Sequence, residues 1–140
     1  MKQTQRQINV RTRGARLYEV TDAVAEVVAE TGVGAGMVTV FCRHTSCSLI
    51  INENADPDVH HDLNAFLKRL VPDGDPAFIH TLEGPDDMAA HIKTALTATS
   101  LAIPIAGGRM VLGTWQGIYL FEHRRAAHTR EIVVHVMGVS

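Results

Sequence analysis

Apolar positions near the start of the chain predict a strand followed by a helix. Ile8, Val10 and Thr12 alternate with polar neighbours, which is typical of a half-buried strand. After a short extended segment, Thr21 is placed to act as the N-cap of a helix that Gly32 ends. The apolar face of this helix is predicted to consist of Val20, Val24, Val27 and Val28.

The middle of the chain predicts two strands and then two helices. Apolar, β-branched residues at 37–43 indicate a buried strand, and residues 46–51 indicate a second one. Asp56 followed by Pro57 is typical of a helix start, because aspartate caps the first amides and proline suits the first turn. The segment 83–87 opens the next helix. The buried face predicted for the helix after Asp56 is Val59, Leu63, Phe66, Leu67 and Leu70.

The last third of the chain shows only strand patterns. A turn is predicted at Gly107-Gly108, because consecutive glycines suit a tight hairpin connection. The predicted strands are 101–105, 110–112, 118–122 and 132–136. Without a repeat or a long linker, we expect a single α+β domain over residues 1–140. It should have about three helices and a largely antiparallel β structure arranged as two packed sheets.

Composition and charge narrow the classes of partner. The chain is 46% hydrophobic and 20% charged, as globular proteins are, and its formal net charge of −2 does not favour nucleic acid or a membrane surface. No apolar run approaches the ~20 residues of a membrane-spanning helix, and no signal-peptide pattern opens the sequence. We therefore expect no nucleic-acid partner and no membrane partner.

The two cysteines, Cys42 and Cys47, are five residues apart. If one extended strand ran through both, their side chains would point to opposite faces, which disfavours a disulfide. Reduced thiols predict a cytoplasmic location. The chain also lacks a CxxC metal pair, an HExxH helix and a GxxxxGK phosphate loop, so these three kinds of site are not indicated.

A carboxylate and two histidines in the middle of the chain suggest a metal site. Asp87 and His91 are four residues apart on a predicted helix, so they share one face and can bind the same divalent cation. His80 is available as a third ligand. The alternative interpretation is a plain surface contact between Asp87 and His91.

Two further candidates lie at predicted strand ends. His44 follows the strand at 37–43, where side chains often gather around a cleft; the alternative is a capping histidine at the sheet edge. Asn54 lies in the polar run 52–56, which is typical of a strand-to-helix connection. Its amide can also be presented to a ligand.

The closing strands add a tryptophan and two arginines. Trp115 stands between Gly113 and Gly117, where its ring can stack on a heteroaromatic ligand or be buried in the core. Arg124 or Arg130 can receive a phosphate or carboxylate through forked hydrogen bonds, or form a salt bridge at a strand end.

Taken together, these segments resemble the YjbQ-like family, which includes weakly active thiamine-phosphate synthases. Each segment is short, but their order is specific, and together they span roughly residues 37–138. The matching stretches are His44-Thr45-Ser46, Asn52-Glu53-Asn54-Ala55-Asp56, His80-Thr81, Glu83-Gly84-Pro85-Asp86-Asp87-Met88 with His91, Gly113-Thr114-Trp115-Gln116-Gly117 and Glu122-His123-Arg124.

The resemblance implies an α+β sandwich and a homotrimer with polar pockets where subunits meet. The reaction it implies joins a pyrimidine that carries a diphosphate to a thiazole phosphate and releases pyrophosphate. Such a reaction needs positive charge beside the leaving diphosphate and a surface on which the ring can stack. The expected substrate is therefore a phosphorylated small molecule.

With the resemblance, the candidate site residues acquire hypothetical roles. We assign catalysis to His44, His91, Glu122 and His123. We assign substrate binding to Ser46, Asn54, Trp115, Gln116 and Arg124. We assign a divalent metal, Mg or Zn, to His80, Asp87 and His91.

Two other functions remain open from the sequence. A metal held by histidine and aspartate can activate water, which would make the protein a metal-assisted phosphate-ester hydrolase. The same pocket can also hold a phosphorylated metabolite or a metal without turnover, which would make it a trimeric binding protein. The fold class does not decide among the three functions.

Overall fold

A computed structural model describes residues 1–140 as eight strands and three helices. Their order along the chain is β1 (Lys2–Thr12), β2 (Leu17–Glu19), α1 (Thr21–Thr31), β3 (Ala35–Cys42), β4 (Cys47–Glu53), α2 (Pro57–Leu70), α3 (Asp87–Leu96), β5 (Ser100–Ala106), β6 (Arg109–Met110), β7 (Gln116–Glu122) and β8 (His128–Val139). No helix is long and apolar enough to cross a membrane.

The strands form two antiparallel sheets. The larger sheet has the order β1-β8-β3-β5-β6, and the smaller sheet has the order β2-β7-β4. One buried cluster of 17 residues contains side chains from α1 and from both sheets, among them Val38 and Val134 of the larger sheet and Leu49 and Leu120 of the smaller one. The predicted α+β class with two antiparallel sheets and three helices is confirmed.

The start of α1 differs from the prediction, although its end does not. Val20 is the N-cap residue and makes no side-chain cap bond, so the prediction of Thr21 as the N-cap is wrong. The Thr21 hydroxyl instead accepts the Ile118 N–H at 2.8 Å and donates to Glu19 at 2.9 Å, because β2 and β7 lie beside it. Gly32 ends the helix with φ of 69°, a backbone conformation that glycine adopts without strain.

Helix α2 begins as predicted but buries less of its apolar face. The Asp56 carboxylate accepts the Asp58 N–H at 2.9 Å, which confirms the cap. Leu67 is buried, whereas Val59, Phe66 and Leu70 are 39%, 53% and 55% exposed. The helix packs against β4 of the narrow three-stranded sheet, which covers only part of the apolar face of α2. The prediction of one fully buried face is wrong for these three residues.

The chain passes from the larger sheet to the smaller one between Cys42 and Cys47. Cys42 ends β3 and Cys47 begins β4, so no single strand runs through both. Their sulfur atoms lie 3.4 Å apart in the core, and both thiols are free. The condition under which the two side chains would point to opposite faces, one extended strand through both cysteines, is therefore not met.

Candidate functional site

Three side chains from the middle of the chain meet at one carboxylate oxygen. Asp87 Oδ2 lies 2.8 Å from His80 Nε2 and 3.0 Å from His91 Nε2. The two imidazole rings are arranged edge to face, with centroids 5.4 Å apart. The ligand-type atoms of the three residues all lie within 4.8 Å of one another. The structure therefore brings together the three residues that the sequence assigned to a metal.

The first turn of α3 positions this cluster. Asp87 is the first residue of the helix, and His91 follows one turn later on the same face. Asp86 stands at the N-cap position but makes no side-chain cap bond. Its carboxylate instead accepts the Arg125 N–H at 2.9 Å and the Arg124 Nε–H at 3.2 Å. The residues after β7 thus hold the start of α3 in place.

Arg124 fixes the orientation of the metal-ligand candidate Asp87. Its Nη1 donates to Asp87 Oδ1 at 2.7 Å, and its Nη2 donates to the Glu83 carbonyl at 2.8 Å. The guanidinium group has five N–H bonds, and the contacts with Asp86, Asp87 and Glu83 use three of them. Oδ2 of Asp87 is left to the two histidines, and two N–H bonds of Arg124 have no partner in the protein.

Both carboxylates at the start of α3 are held in the ionised form. Burial raises the pKa of Asp87, but the hydrogen bond from His80 and the positive charges of His91 and Arg124 outweigh burial and hold it below its usual value. Burial also raises the pKa of Asp86, and the bonds from Arg125 and Arg124 lower it further than burial raises it. Asp87 is therefore a hydrogen-bond acceptor at neutral pH.

Both ring nitrogens of His91 face acceptor oxygens. Nδ1 lies 2.9 Å from the Thr45 carbonyl oxygen, and Nε2 lies 3.0 Å from the Asp87 carboxylate. Neither oxygen has a proton to give, so each can only accept a hydrogen bond from the ring, and Nε2 is the nitrogen that would face a cation shared with Asp87. An Nδ1–H bonded to a backbone carbonyl is also the usual arrangement that orients a metal-bound histidine.

The donor set at Asp87 fits a zinc-type metal better than magnesium. Two imidazole nitrogens and one carboxylate oxygen match three-ligand catalytic zinc sites, which keep one coordination position for water or substrate. Magnesium prefers oxygen ligands and octahedral geometry. The residues that would hold the ion are His80, Asp87 and His91. There the metal would supply Lewis-acid stabilisation of negative charge on a bound substrate.

His44 contacts the backbone rather than the cluster. Its Nε2 accepts the Glu131 N–H at 2.7 Å, which ties the end of β3 to β8. Burial, followed by the charge of Arg130, lowers the pKa of His44. The segment after β3 reaches the cluster through the carbonyl of Thr45, which bonds to His91. The capping alternative considered from the sequence therefore describes the observed contact.

Glu122, assigned to catalysis from the sequence, lies in the core. Its carboxylate forms a forked ion pair with Arg130, with contacts of 2.7 and 2.6 Å, and also accepts the Thr12 hydroxyl at 2.6 Å. Glu122 is 0% exposed and Arg130 is 5% exposed. Arg130 also donates to Ser46 Oγ at 3.0 Å. Glu122 and Ser46 therefore belong to a buried network and cannot touch a substrate without rearrangement.

His123 is also enclosed, on the other side of β7. Its Nε2 lies 2.9 Å from Ser48 Oγ, and the Thr97 hydroxyl donates to the same oxygen at 2.6 Å. Burial, followed by the nearby charge of Lys93, lowers the pKa of His123 to about 3. The ring is therefore neutral at physiological pH, which does not suit the proton-transfer role assigned to it. Sequence reasoning missed Ser48 and Thr97, whose distance from His123 along the chain leaves no local signal.

Asn54, Gln116 and Trp115 form a separate group at the far end of the smaller sheet. The Asn54 amide donates to the carbonyls of Thr114 and Gln116 at 3.1 and 3.3 Å, which fixes the loop before β7. Trp115 is 64% exposed, which excludes the alternative of a core tryptophan. The strand register pairs Cys47 with Glu122 near one end and Glu53 with Gln116 at the other, six residue steps away, which is roughly 20 Å. Within one chain, this group is therefore remote from His80 and His91.

Comparison with known proteins gives the same relatives in sequence and in structure. A family described as UPF0047 protein YjbQ-like matches residues 6–139. A UPF0047 protein of Synechocystis sp. is 51% identical over 137 residues, covering 98% of this chain and 93% of that protein. The UPF0047 protein YjbQ of Escherichia coli is 42% identical over 132 residues, covering 94% of each.

Solved structures support the same assignment. A yjbq/upf0047-family protein from Clostridium acetobutylicum superposes with a TM-score of 0.87 at 37% identity, covering 94% of this chain and 98% of that one. A conserved protein from Thermus thermophilus gives a TM-score of 0.84 at 33% identity, with the same two coverages of 94% and 98%. Because one family spans nearly the whole sequence and the same fold recurs in its solved members, the chain belongs to the YjbQ-like UPF0047 family.

Proposed function

We propose that this protein is a homotrimeric, metal-dependent enzyme of low activity on a phosphorylated small molecule, with thiamine-phosphate formation as the candidate reaction. The observation that carries the proposal is the convergence of His80 and His91 on Asp87 Oδ2, with Arg124 holding the other oxygen. This arrangement places two nitrogen ligands, a carboxylate and a guanidinium within one small region. Positive charge at that point suits a leaving diphosphate.

The residues of the chain supply binding and orientation in this proposal. The two unpaired N–H bonds of Arg124 are available to phosphate oxygens, and the Thr45 carbonyl orients the His91 ring. Trp115 is exposed and can stack on a heteroaromatic ring, but it lies at the opposite end of its own sheet. In the proposed trimer, Trp115 of one subunit completes the site of its neighbour.

A phosphate-ester hydrolase is the second candidate, and the donor set favours it. Two histidines and one aspartate around an open position are the ligands of many zinc hydrolases, in which the metal lowers the pKa of bound water. The synthase reaction releases pyrophosphate from two thiamine precursors, whereas the hydrolase releases inorganic phosphate from a single ester. The two activities are therefore separable by their products.

The first prediction concerns metal binding. We expect protein purified without chelator to retain or bind about one Zn²⁺ per chain, and we expect Asp87→Asn and His91→Gln to weaken this binding at least ~100-fold by removing a ligand. Zn²⁺ titration by calorimetry measures the effect. His61→Gln is the matched control, because His61 is 79% exposed and pairs only with its neighbour Asp62. Equal Zn²⁺ affinity in Asp87→Asn and in the wild type would contradict the metal site.

The same variants test catalysis. With the two thiamine precursors and Zn²⁺ or Mg²⁺, we expect wild-type protein and His61→Gln to form thiamine phosphate and pyrophosphate slowly, and Asp87→Asn to form neither. Release of inorganic phosphate from generic esters, with the same dependence on Asp87, would select the hydrolase. Metal binding without turnover of either substrate would leave a binding protein and overturn the proposed enzyme.

One exposed apolar surface of the chain is suited to association in the proposed trimer. The face of the larger sheet that points away from the core carries apolar side chains on the neighbouring central strands β3 and β8, where Met37 pairs with Met137 and Phe41 with Val133. Met37, Phe41 and Met137 are 41%, 47% and 41% exposed. Apolar side chains at the centre of a sheet are a common surface for association between copies of a chain.

We therefore expect Met37→Asp to convert the trimer into monomers, because it places a charge in the centre of that face. Light scattering coupled to size-exclusion chromatography measures the mass. Val111→Asp is the control, since Val111 is 51% exposed and follows β6 at the edge of the sheet. A wild-type monomer, or a trimer that Met37→Asp leaves intact, would contradict this interface.

A further inference from the structure

A basic pocket lies on the side of α3 that faces away from the histidine cluster. Its volume is about 310 Å³, at the lower end of the range for small-ligand sites. Lys93 stands two residues beyond His91, which is roughly 200° around the helix, so the two side chains diverge. The lining residues come from the β1–β2 loop, the end of α2, the segment after α2, α3 and the segment after β7: Gly14, Ala15, Lys68, Asp73, Lys93, His123 and Arg125.

Lys93 is buried along most of its length and contributes to the lining of the pocket. Only 4% of the residue is exposed, and its ammonium has no hydrogen-bond or ion-pair partner in the protein. The nitrogen itself reaches solvent, because the buried side-chain polar atoms left without a partner are Asn52 Oδ1 and Thr94 Oγ1. The one acidic lining residue, Asp73, already pairs with Arg125 through contacts of 2.6 and 3.2 Å. The ammonium is not sealed inside the core either, because Lys93 contributes to the wall of the open pocket.

The ammonium of Lys93 is less well hydrated here than in open solvent, and burial therefore lowers the pKa of Lys93. A buried lysine normally pairs with a carboxylate or extends its charged end into solvent. Here Lys68 and Arg125 add positive charge on the same wall, and Asp73 is the one carboxylate among the lining residues. The lining side chains therefore have a formal charge of +3 from Lys68, Lys93 and Arg125 and −1 from Asp73, a net +2 that complements a dianion.

We propose that this pocket is a second ligand site that binds the phosphate group of a small phosphorylated molecule, with Lys93 as its main contact. Lys68 and Arg125 provide further positive charge at the same group. Phosphate accepts several charge-assisted hydrogen bonds at once, and an unpaired lysine is a common donor to it. The site is independent of the proposed function, because none of its lining residues belongs to the His80–Asp87–His91 cluster.

The experiment uses inorganic phosphate as the probe, in the presence of chelator so that no metal at the histidine cluster can recruit it. Calorimetry and thermal unfolding are compared between phosphate and chloride at equal ionic strength. We expect phosphate to raise the Tm of the wild type, and we expect Lys93→Met to bind it at least about tenfold more weakly, the effect of one lost charged hydrogen bond.

Three further variants test whether phosphate binds in the Lys93 pocket. Lys2→Met is the matched control, because Lys2 is exposed and the substitution makes the same change of charge at a distant site; it should retain phosphate affinity. Asp87→Asn should also retain it, since Asp87 lies outside the pocket. Lys68→Met, at an exposed position of the same wall, should weaken binding and serves if Lys93→Met does not fold.

The outcomes distinguish phosphate binding in the pocket from phosphate binding elsewhere on the protein. No phosphate-dependent rise in Tm, equal losses in Lys2→Met and Lys93→Met, or a loss in Asp87→Asn alone would each overturn the proposal. If Lys93→Met does not fold, unchanged affinity in Lys68→Met overturns it. A sugar phosphate that binds more tightly than inorganic phosphate identifies a phosphorylated metabolite as the ligand, whereas equal affinities identify free phosphate. Both results support the site.

Discussion

Replacing Arg130 by methionine is expected to lower the free energy of unfolding by about 3–5 kcal/mol, because it leaves the carboxylate of Glu122 buried without its charge partner. Glu122 is 0% exposed, and Arg130 supplies two of the donors to its oxygens. The remaining donors are the Thr12 hydroxyl and the amides of His123 and Arg124. They are neutral and cannot balance a full negative charge in a dry environment.

The matched control for Arg130→Met is Arg43→Met. Arg43 forms an ion pair with Glu131 at 3.1 Å, but the two side chains are 50% and 41% exposed. Its removal should cost less than about 1 kcal/mol, because water screens an exposed pair. Denaturant unfolding at pH 7 measures both variants. Similar losses of unfolding free energy in the two variants would show that the buried ion pair of Glu122 contributes no more to stability than an exposed one.

A second arm of that experiment uses pH. Burial raises the pKa of Glu122, and the hydrogen bonds and charge of Arg130 outweigh burial and hold it below the usual value. Without Arg130, burial dominates and the carboxyl group can take up a proton in the folded state. The deficit of Arg130→Met should therefore shrink as the pH falls toward about 4. A deficit that stays constant with pH would point to lost packing rather than an unpaired charge.

The network around Glu122 shows why the sequence located the region but not the roles of its residues. The pattern of residues 118–122 predicts a strand, and the polar residues after it suggest a strand end with chemistry. Glu122 meets Thr12 and Ser46 meets Arg130 only after β1, β4, β7 and β8 assemble. Contacts between residues so far apart in the chain leave no spacing that a single sequence can show.

The histidine cluster was more accessible to sequence reasoning because half of it is local. Asp87 and His91 lie one helical turn apart, and helical spacing alone places them on one face. The Thr45 carbonyl that orients His91 could not be anticipated, since every residue has a carbonyl and only the fold selects one. The two free N–H bonds of Arg124 likewise follow from the three bonds already made, which depend on tertiary structure.

Burial is the property that the sequence predicted least well. A helical stripe at Phe66 and Leu70 predicts a buried face, yet both residues are more than half exposed because the neighbouring sheet is narrow. Lys93 departs in the opposite direction from the general rule that a lysine on a helix lies in solvent, since it is 4% exposed. The departure at Lys93 falls in the pocket where a ligand is proposed to bind. Disagreement between local pattern and burial is often found at functional positions.

His123 should make the stability of the protein depend strongly on pH. Burial, followed by the charge of Lys93, lowers its pKa from 6.5 to about 3 in the folded state. Between these values the unfolded chain binds a proton that the folded protein does not bind. The free energy of unfolding therefore falls as the pH is lowered through this window, by up to about 1.4 kcal/mol per pH unit.

We expect the wild type to lose about 2 kcal/mol more stability between pH 7 and pH 5 than His123→Gln, which has no titrating ring. Burial also lowers the pKa of His44, so some dependence of the same sign should persist in the variant. The depressed pKa values of Asp86, Asp87 and Glu122 act at lower pH, below the usual range of carboxyl groups. The window from pH 7 to pH 5 therefore isolates the histidines.

Denaturant unfolding of the two proteins and of His61→Gln tests this expectation. His61 is 79% exposed, so its variant should follow the wild-type curve. Parallel curves for wild type and His123→Gln would mean that the His123 ring takes up its proton in the folded state near neutral pH, and the proton-transfer role would then become available to it. The expected divergence would instead show that His123 is a neutral side chain that contacts Ser48 and lines the Lys93 pocket. The candidates for acid–base chemistry would then be the two histidines beside Asp87.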